Sequence, residues 1–122
     1  MRSIGSYRSS HVQSAPNHVV VALLLAEAVR RINRARSAVP TSRAFTDDLG
    51  HARAIIVELR NALDPTAAPQ LVARLTALYD FTFHELIAAG KSRSVERLAA
   101  CENVLMRLTE AWQQLNPAEE VA

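Results

Sequence analysis

The chain has 122 residues with a formal net charge of +2, and 49% of its residues are apolar, 5% are aromatic and three are glycine. A chain of this length forms one domain that buries roughly two thirds of the surface of its unfolded form, so it needs no disulfide or metal framework, and its single cysteine excludes an intramolecular disulfide. Many apolar residues with few aromatics and few glycines favour helices over strands.

Neither a secretion signal nor a membrane-spanning segment is predicted. No apolar run precedes Val19, and the longest run, from Val19 to Ala26, has eight residues, whereas crossing a bilayer takes about 20. The chain is therefore expected to stay in the cytoplasm, without insertion into the membrane.

Apolar residues recur every three or four positions in four segments, which predicts four helices with one buried row each. The predicted bounds are Pro16 to Pro40, Phe45 to Asp64, about Ala67 to Ala89, and Ser92 or Ser94 to Asn116. The predicted buried rows are Val21, Leu25, Ala28, Ile32, Ala35 and Val39; Phe45, Leu49, Ala52, Ile56, Leu59 and Leu63; Val72, Leu75, Tyr79 and Leu86; and Leu98, Cys101, Leu105, Leu108, Trp112 and Leu115.

Residues that cap helices mark two of these ends. Thr46, followed by Asp47 and Asp48, is expected at the amino end of the second helix, where the helix dipole favours negative charge. Gly90 is expected to stop the third helix, because glycine is common just beyond a helix C-terminus.

The predicted fold is all-α, an antiparallel up-down-up-down four-helix bundle, since four helices with short connections and heptad-like rows are typical of it. Residues 1–14 are predicted to form a flexible N-terminal arm, residues 15–116 the bundle and residues 117–122 a C-terminal tail. The third helix carries a second apolar row, Leu71, Leu78 and Phe81. A helix with so wide an apolar surface is either central in its bundle or keeps a face for a partner.

The acid and base residues suggest no enzyme, metal or cofactor chemistry. The four histidines do not recur at i, i+3 or i, i+4, so a zinc site is not expected. A four-helix bundle can be a histidine phosphotransfer domain, which makes His84 a candidate phosphate acceptor. The adjacent Glu85 would repel a phosphoryl group, and this disfavours the phosphotransfer interpretation.

Positive charge is concentrated at the start of the chain, where residues 1–43 carry a net +6 against −4 for the remainder. The run from Arg30 to Arg36 could neutralise phosphates of a nucleic acid. Cations at the carboxyl end of a helix also complement its dipole, and no aromatic residues interleave with these arginines. A structural or partner-matching role is therefore favoured, and nucleic acid is not an expected partner.

Five sequence features occur together in an order found in one family. They are Tyr7, the stretch Val12 to Pro16, the run Ala52 to Leu59 followed by Leu63-Asp64, the run Leu75 to Phe81 with its Leu-Tyr-Asp-aromatic piece, and Ala111-Trp112. In this order the chain resembles the flagellar secretion chaperones of the FliS family over residues 7–115. It departs from the family pattern at residues 23–28 and at Arg74.

The resemblance implies a non-enzymatic export chaperone whose client is the disordered C-terminal region of flagellin, held in apolar grooves and kept from premature polymerisation. An export-gate component and a second copy of the chain are further partners to consider. The alternative is a helical signalling or scaffold protein of the phosphotransfer type. The candidate client-facing residues, each with core packing as its alternative, are Tyr7, Val12, Ile55, Leu59, Leu71, Leu78 and Phe81. The arm, anchored by Tyr7, is further hypothesised to cover the apolar strip when no client is bound.

Overall fold

The computed structural model describes residues 18–113, and every regular element within them is a helix. Helix α1 is His18–Ser37, α2 is Arg43–Asn61, α3 is Pro69–Ser92 and α4 is Val95–Gln113. The predicted all-α class and the count of four helices are confirmed for this part of the chain. None of these helices is long and apolar enough to cross a membrane.

The four helices pack as a ring. Helix α1 lies beside α2 and α4, and α3 lies beside the same two helices, while no Cα atoms of the diagonal pairs come within 8 Å of each other in residues 18–113. Along the α3–α4 pair, Arg97 reaches Glu85 and Cys101 lies against the carbonyl of Thr82. Residue numbers rise along α4 as they fall along α3, which is the order of an antiparallel pair. The up-down-up-down orientation of the whole bundle stays a prediction.

The predicted buried rows form the core of the structure. In α1 to α4, nearly every residue of those rows is less than a tenth exposed, and Cys101 is fully buried. Leu115, the last predicted member, lies outside the described residues. The prediction for Val39 is wrong, because this side chain is 64% exposed. Pro40 disfavours helical backbone in the residue before it, so α1 ends at Ser37 and Val39 leaves the buried face.

The amino end of α2 lies earlier than the sequence predicted. Ser42 is the N-cap, and its hydroxyl accepts a hydrogen bond from the backbone N–H of Phe45 at 3.2 Å. Thr46 is already inside the helix, and its hydroxyl is turned back toward the carbonyl of Ser42. Asp48 is buried instead of serving the helix end.

The carboxyl end of α3 also differs from the prediction. The helix continues through Gly90 to Ser92, and the left-handed residue that ends it is Arg93, with φ of 53°. The N–H groups of Arg93 and Ser94 both donate to the carbonyl of Ala89. Gly90 therefore occupies an ordinary helical position, and Arg93 has the conformation that favours glycine.

Replacing Gly90 with alanine is expected to raise the free energy of unfolding by about 0.5 to 1 kcal/mol, the helix-propensity difference between the two residues. A Cβ at this position would lie 3.7 Å from Leu49 Cδ1, an ordinary contact. Arg93→Gly is expected to stabilise by a similar amount because it removes left-handed strain. Urea unfolding of both variants tests the assignment, and a destabilised Gly90→Ala would return the helix stop to Gly90.

Candidate partner-binding face

The structure divides the described candidate residues into two groups. Leu71, Leu78 and Phe81 on α3 are 39%, 38% and 46% exposed. Ile55 and Leu59 on α2 are buried in the core, at 8% and 2% exposure. The two arm candidates, Tyr7 and Val12, lie outside the described residues.

These two groups belong to different sides of the bundle. Asp48 pairs with Arg31 of α1, and Ile55 follows Asp48 by two helical turns, so Ile55 lies on the α1 side of α2. Glu85 pairs with Arg97 of α4, and Leu78 precedes Glu85 by two turns, so Leu78 lies on the α4 side of α3. Because α2 and α4 stand at diagonal positions of the ring within residues 18–113, the candidates do not form one continuous surface.

Helix α4 completes the exposed α3 row with small side chains that sequence reasoning missed. Ala100, Val104 and Ala111 follow Arg97 by three, seven and fourteen residues, which places them on the α3 side of α4. Ala100 and Ala111 are exposed and Val104 is half-buried. Since alanine projects less than leucine or phenylalanine, this half of the surface is recessed beside the α3 row.

We call this surface the α3–α4 face, and it also carries two arginines. It comprises Leu71, Arg74, Leu78, Phe81, Ala100, Val104, Arg107 and Ala111. Arg74 and Arg107 are exposed and have no ion pair within residues 18–113. A cavity of about 480 Å³ opens at the amino end of the α3 row, lined by Leu71, Arg74 and the preceding residues 68–70.

Other large exposed apolar residues are spread over the rest of the bundle. Val19 and Leu23, one turn apart on α1, are 54% and 66% exposed, and Met106 on α4 is 48% exposed. The α3 row differs from these because its three members recur at heptad-like spacing along more than two turns. It therefore provides the longer apolar surface for a docked helix.

The arginine run of α1 is engaged within the protein. Arg30 and Arg31 both bond Glu27, Arg31 and Arg34 reach the buried Asp48, and Arg36 bonds Glu102 of α4 at 2.7 Å. These contacts support the structural interpretation of the run, because the cations that could face phosphates already have carboxylate partners.

One carboxylate of this cluster titrates far below its ordinary range. The hydrogen bond from Arg30 is the main cause that lowers the pKa of Glu27 from 4.5 to about 2; burial opposes it, and the hydrogen bond and charge of Arg31 add to the lowering. Because the folded-state pKa is the lower one, the stabilisation is complete above pH 4.5 and is lost as the pH falls towards 2.

The remaining reactive groups are also held in structural contacts. Nδ1 of His84 lies 2.7 Å from the carbonyl oxygen of Asp80, and Glu85 is paired with Arg97. Burial, and then the Glu85 carboxylate, raise the pKa of the Cys101 thiol to about 12, which keeps it protonated and unreactive. No group of His, Cys, Asp and Glu within residues 18–113 is arranged to hold a metal.

Comparison with known proteins identifies the family. The family model described as flagellar protein FliS matches residues 1–119. The chain belongs to the FliS family. FliS proteins are chaperones of flagellar secretion. They are not enzymes, and the non-enzymatic interpretation is confirmed.

Three curated relatives are named flagellar secretion chaperones and are similar to this chain over most of their length. The flagellar secretion chaperone FliS of Vibrio cholerae serotype O1 is 26% identical over 110 residues, which cover 88% of this chain and 81% of the relative. FliS of Salmonella typhimurium is 26% identical over 111 residues, covering 88% and 82%. The flagellar secretion chaperone FliSB of Pseudomonas aeruginosa is 26% identical over 109 residues, covering 88% and 86%.

Proposed function

We propose that this FliS-family chain is a cytoplasmic export chaperone that binds the C-terminal segment of flagellin along the α3–α4 face. The observation that carries the proposal is the exposed row Leu71, Leu78 and Phe81, set beside the small side chains of α4. A docked amphipathic helix needs such a strip on a rigid frame, with anchors at i, i+3 or i+4 and i+7.

The energetics suit reversible capture of a disordered segment. Full burial of a leucine or phenylalanine side chain is worth about 1.5 to 3 kcal/mol, so covering the roughly 40% that remains exposed gives about 1 kcal/mol for each residue of the row. Ordering the client as it binds offsets part of this gain. The three row residues together give about 3 kcal/mol, less than the roughly 4 kcal/mol of millimolar binding, so most of the affinity is expected from the client's own apolar side chains that the face buries.

The proposal is tested by titrating the full chain with a flagellin C-terminal fragment in a calorimeter. Binding is expected with a negative heat-capacity change, the mark of buried apolar surface. Leu78→Glu and Phe81→Glu are each expected to weaken binding at least about tenfold, because each places a carboxylate against the apolar stripe of the client.

Leu23→Glu on α1 is the matched control, because Leu23 is more exposed than either test residue and lies on another helix. It is expected to leave affinity within about twofold of the unmodified chain. Circular dichroism checks that all three variants keep their helices. If Leu23→Glu weakens binding while Leu78→Glu does not, the client seat lies on α1 and the proposed site is wrong.

The proposal gives other roles to the four candidate residues that are not part of the α3 row. Ile55 and Leu59 would meet the client only if the α1–α2 side of the bundle opened, because both are buried. Tyr7 and Val12 are proposed to contact the client or to cover the strip in its absence. The same titration with residues 1–14 deleted separates these roles: direct contact predicts weaker binding, covering predicts tighter binding, and unchanged affinity contradicts both.

A second copy of the chain, or an export-gate component, is proposed to compete with the client if it uses the same apolar row. Client binding would then dissociate the competing complex, since one strip cannot hold two helices. Nucleic acid is not proposed as a partner because the α1 arginines have carboxylate partners.

A further inference from the structure

Both arginines of the α3–α4 face belong to the minority of arginines within residues 18–113 that have no carboxylate partner, and Arg53 and Arg93, the other two, lie outside the face. Seven arginines within residues 18–113 have a carboxylate within 4 Å: Arg30, Arg31, Arg34, Arg36, Arg43, Arg60 and Arg97. Arg74 and Arg107 have none in that part of the chain. An exposed arginine without an ion pair remains available to a bound segment. Its planar guanidinium can donate two parallel hydrogen bonds to one carboxylate.

The register between the two helices puts these arginines at the same level. Glu85 lies opposite Arg97, and Thr82 lies opposite Cys101. Continuing the antiparallel register by two turns brings the α3 turn of Arg74 opposite the α4 turn of Arg107. One cation therefore stands on each helix at one height, with the apolar row and the recessed alanines of the face around them.

Two acidic residues of α3 near the face are already engaged elsewhere. Glu85 bonds Arg97 at 3.0 Å, and Asp80 bonds Arg60 on the α2 side of α3. Their carboxylates are thus committed to partners within the bundle. Glu110 follows Arg107 by three residues on α4 but forms no ion pair with it, so the face presents an apolar strip with an arginine on each helix that no carboxylate pairs within residues 18–113.

From this charge pattern we infer that the α3–α4 face selects a helical segment with acidic side chains on both flanks of its apolar stripe, placed to meet Arg74 and Arg107. The inference rests on the proposed function, because the segment it describes is the one that the chaperone would take from flagellin. From Leu71 to Phe81 the α3 row is about 15 Å long, which corresponds to about three turns of the docked helix. The two carboxylates would stand near the first half of that length, at the level of Arg74.

The test is the double charge reversal Arg74→Glu with Arg107→Glu in the full chain, titrated with the flagellin C-terminal fragment at about 50 mM and about 500 mM NaCl. Salt is expected to weaken binding of the unmodified chain, because charges at a rim are screened. The double reversal is expected to weaken binding about tenfold at low salt, chiefly through slower association, and to reverse the salt dependence, because salt then screens a repulsion.

Arg53→Glu is the control, because Arg53 also has no ion pair within residues 18–113 and lies on α2, away from the α3–α4 face. It is expected to change affinity by less than about threefold. Arg74→Gln with Arg107→Gln removes the charges without adding repulsion and is expected to give an intermediate loss. Both test positions are exposed, so the helical content should be unchanged.

A fragment whose flanking acidic residues are changed to lysine completes the test. This lysine fragment is expected to bind the unmodified chain poorly. It is expected to bind the Arg74→Glu, Arg107→Glu chain more tightly than the original fragment binds that chain. The inference is overturned if the double reversal binds like the unmodified chain. In that case, weaker fragment binding by Leu78→Glu would still support the proposed function. Unchanged fragment binding by Leu78→Glu would instead show that the α3–α4 face is not the binding site.

Discussion

Replacing Asp48 with asparagine is expected to lower the free energy of unfolding by about 2 to 4 kcal/mol. The Asp48 carboxylate is 3% exposed and lies 3.1 Å from the guanidinium of Arg31 and 3.6 Å from that of Arg34. Removing one partner of a buried ion pair leaves the other charge without compensation, at a cost of about 3 to 5 kcal/mol when both are fully buried. The expected loss is smaller here because Arg31 keeps its ion pair with Glu27 and, at 24% exposed, can regain some water.

Asp47→Asn provides the comparison for this variant. Its carboxylate is one residue away, is 60% exposed and pairs with Arg43 across one turn of α2. Exposed pairs of this kind contribute under about 1 kcal/mol, so Asp47→Asn should unfold at nearly the same urea concentration as the unmodified chain. Urea titrations followed by the fluorescence of Trp112 measure both variants, and equal losses would show that the buried position of Asp48 confers no special stability.

The core of the bundle could be predicted from sequence because burial imposes a period on the chain. Rows spaced by three and four residues belong to one helical face whatever the helix packs against, and residues such as Leu25 and Leu105 are fully buried as that rule requires. The ends were harder to locate. Ser42 and Thr46 both offer a capping hydroxyl, and only tertiary contacts decide which of them begins the helix.

Only part of the candidate site could be predicted from the sequence, for two physical reasons. Leu59 and Leu78 are both leucines on wide apolar surfaces, and nothing in their spacing tells that one is buried and the other half-exposed. The α4 half of the face is made largely of alanines, which give no apolar signal of their own. The charge of the face depends on which arginines pair with acidic residues of other helices, and this is set by how all four helices pack.

Replacing Tyr79 separates two effects within the core. Tyr79 is completely buried on α3, and its hydroxyl, like the indole N–H of Trp112, makes no hydrogen bond of regular geometry within residues 18–113. Burial raises the pKa of this phenol, and the nearby indole only partly offsets the effect. The ring therefore packs favourably while the hydroxyl is poorly satisfied.

We accordingly expect Tyr79→Ala to lower the free energy of unfolding by about 3 to 5 kcal/mol, the usual cost of removing a buried aromatic ring. Tyr79→Phe keeps the ring and removes an unsatisfied polar atom, so it should stay within about 1 kcal/mol of the unmodified chain or become slightly more stable. Urea unfolding followed by circular dichroism measures both variants without depending on Trp112. A loss above about 2 kcal/mol for Tyr79→Phe would mean that the hydroxyl has a partner that stabilises α3 against α4.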